Sequence, residues 1–403
     1  MKNLPELRFP DFLNEPEWEI KPLKKLAENL DNKRVPITSN IRSKGNIPYY
    51  GASGIVDFVN DYIFDEELLC ISEDGANLVV RTYPIAFSIS GKTWVNNHAH
   101  VLKFKNKYTQ IIVENYLNSI KLDDFLTGMA QPKLNKAMLD IIPIPISSST
   151  DEQQKIANCL SSIDNLITAQ SEKVEALKEH KKGLMQQLFP QDEEEVPKLR
   201  FPEFKNAPKW EEKQLGGISQ ILRGGSPRPI ESYLTANEDG LNWLKIGDIN
   251  KDSKYVLQTQ EKVLPTALSK TREVNPGDLI LSNSMSFGRP YILKIKACIH
   301  DGWIAITKID QKFDRDFLYY FISSDASQTY FSNNAAGAAV LNLNAEIIKL
   351  LPIFAPKKEE QQKIANCLSS IDELITSQTK KVETLNEHKK GLMQQLFPSK
   401  EVK

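Results

Sequence analysis

The chain has 403 residues, of which 40% are hydrophobic and 26% charged, and its 51 basic side chains against 52 acidic ones leave a formal net charge of −1. This length predicts two or three domains, and the composition excludes a disordered chain. The balance gives a polyanion no bulk charge to bind, so such a partner would need basic residues sorted onto one face or supplied by other subunits.

No apolar run reaches the roughly 18 residues of a membrane span, and Met1-Lys2-Asn3-Leu4-Pro5 opens no signal peptide, so the expected location is the cytoplasm. Cys70, Cys159, Cys298 and Cys367 stand too far apart in sequence for a CxxC pair or a disulfide framework and are expected to be reduced packing residues. The five histidines, His98, His100, His180, His300 and His388, show no metal-ligand spacing, and neither a metal nor a cofactor is expected.

In chain order, the first region covers residues 1–148. It opens on Leu7-Arg8-Phe9-Pro10-Asp11-Phe12 and Trp18-Glu19. Residues 47–56 form a turn entering a strand, 68–72 and 101–104 are strands, and 108–120 read as a helix. A long helix is predicted over 149–190, with Ser149 and Glu152, or Thr150 and Gln153, as a capping box and Pro190 past the last turn. Residues 191–208 are a linker. The second region, 209–356, has strands at 243–246, 278–282 and 303–306 and is largely helical over 313–331, so both regions read as α+β. A second long helix covers 357–398, ended by Pro398.

Internal repetition organises these elements. Residues 151–190 return as 359–398, displaced by 208, with seven differences in 40 positions. The Leu-Arg-Phe-Pro opening returns at Leu199-Arg200-Phe201-Pro202, displaced by only 192, so the intervening second region is longer. The segments 17–148 and 209–356 barely resemble each other, yet they end alike, through Gln131-Pro132-Lys133-Leu134-Asn135 and Val340-Leu341-Asn342-Leu343-Asn344. They are therefore read as two versions of one fold on a fixed frame.

Each helix carries a heptad seam with apolar residues three and four apart. In the first it is Ile156, Leu160, Ile163, Ile167, Val174, Leu177, Leu184 and Leu188; in the second it is Ile364, Leu368, Ile371, Ile375, Val382, Leu385, Leu392 and Leu396. Gln170 and Lys181, and likewise Gln378 and Lys389, interrupt both seams at the same places. Self-complementary seams of equal length predict antiparallel pairing of the two helices.

The chemical motifs are weak. Ala86-Phe87-Ser88-Ile89-Ser90-Gly91-Lys92-Thr93 fits a loose phosphate loop, but Ala86 replaces the first glycine and Trp94-Val95 continues as a strand, so a hairpin turn presenting Lys92 and Thr93 is expected instead. A glycine-rich methyl-donor loop, an Asn/Asp-Pro-Pro-aromatic motif, a Gly-x-Ser-x-Gly elbow and a nuclease-like acidic run are all missing from the sequence, which points to a binding protein rather than an enzyme.

The duplicated layout, the Glu-Gln-Gln-Lys-Ile-Ala helix starts, the Leu-Met-Gln-Gln-Leu-Phe-Pro helix ends, the Gly51-Ala52-Ser53-Gly54 turn and Asp74-Gly75-Ala76-Asn77 together resemble the specificity subunit of type I restriction-modification systems, over nearly the whole chain. The resemblance implies two α/β target-recognition domains joined by two long helices that pair as an antiparallel coiled coil with an internal pseudo-two-fold repeat. It also implies a non-catalytic, sequence-specific subunit that binds double-stranded DNA, two methyltransferase subunits and, in a full complex, restriction subunits. A coiled-coil adaptor for other proteins is the rival reading, and a nucleotide hydrolase resting on Lys92 is a third.

Base edges are read by Arg, Lys, Asn, Gln, Ser and Thr on loops. In the first region the candidates are Lys44, Asn46, Tyr49, Asn77, Arg81, Lys92, Thr93, Asn96, Asn97 and His98, with Arg42 beside them. In the second they are Arg223, Ser226, Arg228, Ser282, Asn283, Ser284, Ser286 and Arg289, together with Lys245, Asn333 and Asn334. His98 and His300 are also expected to serve as structural histidines.

Overall fold

The computed structural model describes residues 3–128, 131–191, 194–250, 253–283, 287–335 and 343–398. Two long helices, Thr150–Leu188 and Lys358–Leu396, each of 39 residues, dominate it. Among the described residues, no helix is long and apolar enough to cross a membrane. The chain divides into two compact units. Unit 1 holds residues 1–172 with 378–403, and unit 2 holds 173–377, so the division falls inside both helices.

Each unit contains one α/β head of two main sheets, with a two-stranded ribbon that pairs Glu19–Pro22 with Pro143–Ile146 in the first and Glu211–Gln214 with Pro352–Ala355 in the second. In the first head one sheet orders its strands Ala27–Asn29, Ala99–Phe104, Leu68–Ser72, Ala86–Ile89, and the other orders them Gly54–Val59, Lys44–Gly51, Lys92–Val95, Phe64–Asp65. The second head repeats both orders. Gln220–Arg223, Trp303–Thr307, Leu279–Ser282 and Pro290–Leu293 answer the first sheet; Glu261–Val263, Leu241–Leu244, Ala297–Ile299 and Arg272–Val274 answer the second. Even the single parallel contact between the inner strands is kept, Tyr49 beside Trp94 in one head and Trp243 beside Cys298 in the other. The added length of the second head includes two extra edge strands, Leu234–Thr235 and Tyr255–Val256.

The repeated sequences build the frame that carries these heads. In unit 1 the Arg8 side chain, 6% exposed, donates from Nε and Nη2 to Glu152 at 2.7 and 2.8 Å, and its guanidinium also reaches the carbonyls of Glu15 and Pro16. Arg200 repeats this in unit 2 with Glu360 at 2.8 and 2.6 Å and the carbonyls of Ala207 and Pro208. The neighbouring glutamine docks the helix start on its head: Gln153 Oε1 accepts from Thr109 Oγ1 at 2.6 Å, and Gln361 Oε1 accepts from the Asp314 N–H at 2.8 Å. The expected capping box is only half formed. Ser149 Oγ accepts from the Glu152 N–H at 3.3 Å, while the Glu152 carboxylate turns to Arg8 and Ser147 rather than back to the cap.

Each head core is completed by the end of a long helix. Leu396 and Phe397 enter the core of the first head with Ile156 and Leu160, and Phe397 meets Tyr116 edge-on at 5.3 Å. Leu188 and Phe189 enter the second with Ile364 and Leu368, and Phe189 lies 5.6 Å from Phe317. Within each unit the start of one helix therefore lies against the end of the other, which is the antiparallel pairing that the seams predict. All sixteen apolar seam positions are buried or half-buried. The two interrupting lysines are paired across it, Lys389 with Asp164 at 2.5 Å in unit 1 and Lys181 with Asp372 at 2.6 Å in unit 2.

Burial pushes the Glu152 carboxyl up, but the hydrogen bonds from Arg8 and Ser147 outweigh it and hold the group below its ordinary value. The pair therefore adds stability above the unfolded carboxylate range near pH ~4.3, and this stability is lost as pH falls through the lower folded value. Removing Arg8 leaves a buried, uncompensated carboxylate, so Arg8→Ala is expected to cost unit 1 about 3–5 kcal/mol at pH 7 and less under acid, where the variant's unpaired Glu152 takes up a proton more readily than the paired one. Denaturant unfolding of the variant at pH 7 and at pH 4 checks both the size and the direction.

Candidate nucleic-acid interface

In both heads the two sheets are joined by a short loop, 96–98 in the first and 300–302 in the second, and each loop is held by equivalent backbone bonds. The Glu73 N–H donates to the His98 carbonyl at 2.9 Å, as the Asn283 N–H donates to that of Gly302 at 3.0 Å. The similar tails of the two regions close the same place: the Leu134 N–H donates to Glu73 O at 2.7 Å, and the Leu343 N–H to Asn283 O at 3.1 Å. This common frame explains the likeness of the tails. Of the sequence candidates, Ser284 and Ser286 lie outside the described residues.

In the first head the loop gathers Asn96, Asn97 and His98. Asn96 is buried and its Oδ1 accepts from the His98 N–H at 2.8 Å, which leaves Asn97 and the His98 ring exposed at the apex. His98 Nδ1 lies 2.8 Å from Asp74. Lys44, Asn46 and Lys92 are exposed too, but they flank the start of the parallel strand pair whose finish leads into the loop, and Lys92 Nζ rests 4.8 Å over the Tyr62 ring.

Other candidates serve the interior. Tyr49 is buried beneath the Arg42 guanidinium at 4.4 Å, and its hydroxyl accepts from the Ile37 N–H at 3.0 Å. Asn77 braces residues 77–83 through the Tyr83 N–H and carbonyl. Arg81 adopts a left-handed conformation (φ 58°), and its guanidinium donates to the Leu117 and Ile120 carbonyls, where a cation also complements a helix C-terminus. Thr93 is buried. The expected hairpin at 90–93 is corrected as well: Ala86–Ile89 and Lys92–Val95 belong to different sheets, the Ser90-Gly91 turn passes between them, and no helix follows to cradle a phosphate.

In the second head the candidates converge on one residue that is not among them. Asp301 Oδ1 accepts from Ser226 Oγ at 2.9 Å and lies 3.0 Å from His300 Nε2, while its carbonyl accepts from Asn283 Nδ2 at 3.0 Å and Arg223 Nε at 3.3 Å. His300 Nδ1 accepts from the Gly302 N–H, which assigns the ring proton to Nε2. The Arg228 guanidinium, 84% exposed, lies 3.7 Å from Asp301 Oδ2. Two glycines let this strand end approach so closely, since a Cβ on Gly224 would stand 2.1 Å from the His300 carbonyl and one on Gly225 2.6 Å from that of Lys270. Ser282 and Asn283 are buried, and the exposed Arg289 donates its N–H to Ser282 Oγ at 3.3 Å. Lys245 pairs with Glu261 at 2.6 Å, and Asn333 and Asn334 lie on the exposed end of the helix Asp325–Asn334.

Behind the first loop, Asp31, Glu73 and His100 form the one group among the described residues with metal-ligand spacing. Its oxygens are already engaged: Arg34 lies 2.7 Å from Glu73 and 3.4 Å from Asp31, Lys133 lies 3.2 Å from Glu73, and His100 Nδ1 lies 2.6 Å from Asp31. Burial raises both carboxyls, and the cationic and hydrogen-bonding partners more than offset it, leaving Asp31 and Glu73 below their ordinary values. The cluster is an internal ion-pair network rather than an open coordination site.

Two copies of this head on one repeated frame have a counterpart among known proteins. A family model described as the type I restriction modification DNA specificity domain matches residues 15–179 and again residues 208–387. The chain belongs to the type I restriction-modification specificity family. A Haemophilus influenzae protein bearing the name of a type I restriction enzyme specificity subunit is 28% identical over 368 residues, 91% of this chain and 90% of that one. The type I restriction enzyme MjaVIII specificity subunit of Methanocaldococcus jannaschii is 25% identical over 423 residues, covering 99% and 95%. The crystal structure of a type I restriction-modification S subunit from M. genitalium shares the fold, with a TM-score of 0.63 at 14% identity over 98% of this chain and 99% of that one.

For this family member the division between interior and apex residues is testable by stability alone. Arg81→Ala and Asn283→Ala are expected to destabilise their heads by about 1–3 kcal/mol, because buried carbonyls lose their donors. Asn97→Ala and Arg228→Ala should stay within about 0.5 kcal/mol of the parent. Thermal unfolding of the four variants separates the two classes.

Proposed function

We propose that this chain is the non-catalytic, DNA-reading subunit of a type I restriction-modification complex, each head reading one half of a bipartite, asymmetric site in double-stranded DNA. The observation that carries this reading is that two heads of one topology hold the same backbone loop and gather different polar side chains at it, Asn97 and His98 of the loop in one, Asp301 of the loop with Ser226 and Arg228 brought beside it in the other. A fixed loop with exchanged side chains suits two different base sequences, whereas an adaptor for one kind of partner would keep its contact residues alike. In this proposal the base-reading set comprises Lys44, Asn46, Lys92, Asn97, His98, Arg223, Ser226, Arg228, Ser284, Ser286 and Arg289. Tyr49, Asn77, Arg81, Thr93, Asn96, Ser282 and Asn283 support them from within.

Phosphate contacts need local positive charge despite the neutral chain. Unit 2 offers a cleft of about 580 Å³ in which Lys178, Lys181 and Lys182 of the first long helix and Arg289 of the head outnumber the lining carboxylates of Asp325 and Asp372. The remaining affinity is assigned to partners. The two long helices are proposed to dock two methyltransferase subunits, restriction subunits joining in the full complex. Leu166 in unit 1 and Leu374 in unit 2 occupy equivalent positions of the repeat and are 42% and 51% exposed, one apolar contact point per unit.

Replacing residues 209–356 with the corresponding region of another specificity subunit should change one half of the methylated motif and leave the other intact. Sequencing methylated bases in a host carrying the chimaera with its modification partners tests this, and a change in both halves would sink the two-reader proposal. Leu166→Asp should weaken capture of one modification subunit by tenfold or more, and Leu374→Asp that of the second; native mass spectrometry of the assembled complex, showing one copy lost per substitution, checks the docking. Unaltered stoichiometry in the double variant would place the partners elsewhere.

A further inference from the structure

Asp301 is acidic, half-exposed and located at the apex of a surface read here as facing DNA. A carboxylate in that position is repelled by phosphates unless it accepts from a base amine or holds a cation in place. Its inner oxygen, Oδ1, already accepts from the Ser226 hydroxyl at 2.9 Å and lies 3.0 Å from His300 Nε2. The outer oxygen, Oδ2, faces the Arg228 guanidinium at 3.7 Å. The carboxylate is thus fixed from inside and turned toward a cation that is otherwise in solvent.

We propose that Asp301 is a specificity-determining positioning residue of the second head, which holds Arg228 so that the free edge of its guanidinium reads a guanine in the second half-site. A guanidinium has five N–H donors, and one edge spent on a carboxylate leaves another whose paired donors match O6 and N7 of guanine in the major groove. Gly224 and Gly225 serve the same end, because the close backbone approach they allow brings Ser226 and Arg228 beside the loop. The first head has Asn97 at the equivalent loop position. An amide there carries no charge to orient a guanidinium, so the first half-site is not read in this way. The inference rests on the DNA-reading function proposed above and adds to it one residue, one partner side chain and one base.

The test uses the full chain assembled with its modification subunits, acting on a pool of duplexes randomised across both half-sites, with methylated products sequenced. Asp301→Asn keeps the shape and the contacts to Ser226 and His300 but removes the charge facing Arg228. Discrimination at one guanine of the second half-site should fall about ten- to a hundredfold, the share one bidentate pair supplies. Arg228→Ala should relax the same base pair, Arg228→Lys should fail to restore it because an ammonium lacks the paired donors, and Asp301→Asn with Arg228→Ala together should be no worse than Arg228→Ala alone. The first half-site should be unchanged in all of them. An unaltered motif in an active Asp301→Asn complex, or relaxation of different base pairs by the two single variants, overturns the proposal. If the parent complex methylates the pool without selection, it is the DNA-reading function itself that fails.

Discussion

The buried ion pair between an arginine in the opening strap and a glutamate in the first turn of a long helix, Arg8 with Glu152 and again Arg200 with Glu360, is the joint on which the rest of each unit is built. Two charges withdrawn from water are held there because each guanidinium nitrogen finds an acceptor: the group spans the carboxylate and two backbone carbonyls. The arrangement fixes strap, helix start and head edge at once. With the adjacent glutamine bonded to the head, the first turn of each helix has a single orientation on its head. The near-identity of the repeated segments follows from this, because a residue with three simultaneous polar contacts tolerates little change.

The heads are free to diverge because the frame asks little of them. It requires strands that end where Ser72 and Ser282 end, a loop carbonyl to accept from Glu73 or Asn283, and an apolar face for Phe397 or Phe189. Side chains above that level answer to the surface alone. The same backbone loop therefore presents an imidazole beside a carboxylate in one head and a carboxylate beside an arginine in the other.

Much of this was legible from the chain. Seam positions such as Ile156 and Leu368 announce their burial by period, and strands such as Leu68–Ser72 by apolar runs between turns. Two-residue edge strands such as Tyr255–Val256 leave no such pattern. Polar residues are harder to read, because Asn77, Thr93 and Asn283 have the composition of surface readers, and only the tertiary structure reveals that Asn77 and Asn283 bond the interior and that Thr93 is buried in it. Asp301 is an acceptor, unlike the donors that phosphates and most base edges call for; its one sequence trace is the loop position it shares with Asn97, visible once strands 99–104 and 303–307 are aligned. The Ser90-Gly91 turn misleads for a related reason, since a tight turn does not disclose whether its two strands enter one sheet or two.

The placement of Phe397 in the first head has a consequence for how the molecule comes into being. Unit 2 is one uninterrupted stretch of chain, 173–377, so all of its contacts can form once that stretch has left the ribosome. Unit 1 is not. Its core holds Trp18 and Ile112 together with Leu396 and Phe397, contacts of very long sequence separation whose loop-closure cost falls late. The head translated first is therefore the head completed last, and through most of synthesis it exposes the apolar face that the second helix will cover. A nascent chain in that state is a substrate for chaperones and for aggregation, and the abundance of the folded protein is governed by how quickly its distal helix returns to the domain made at the start.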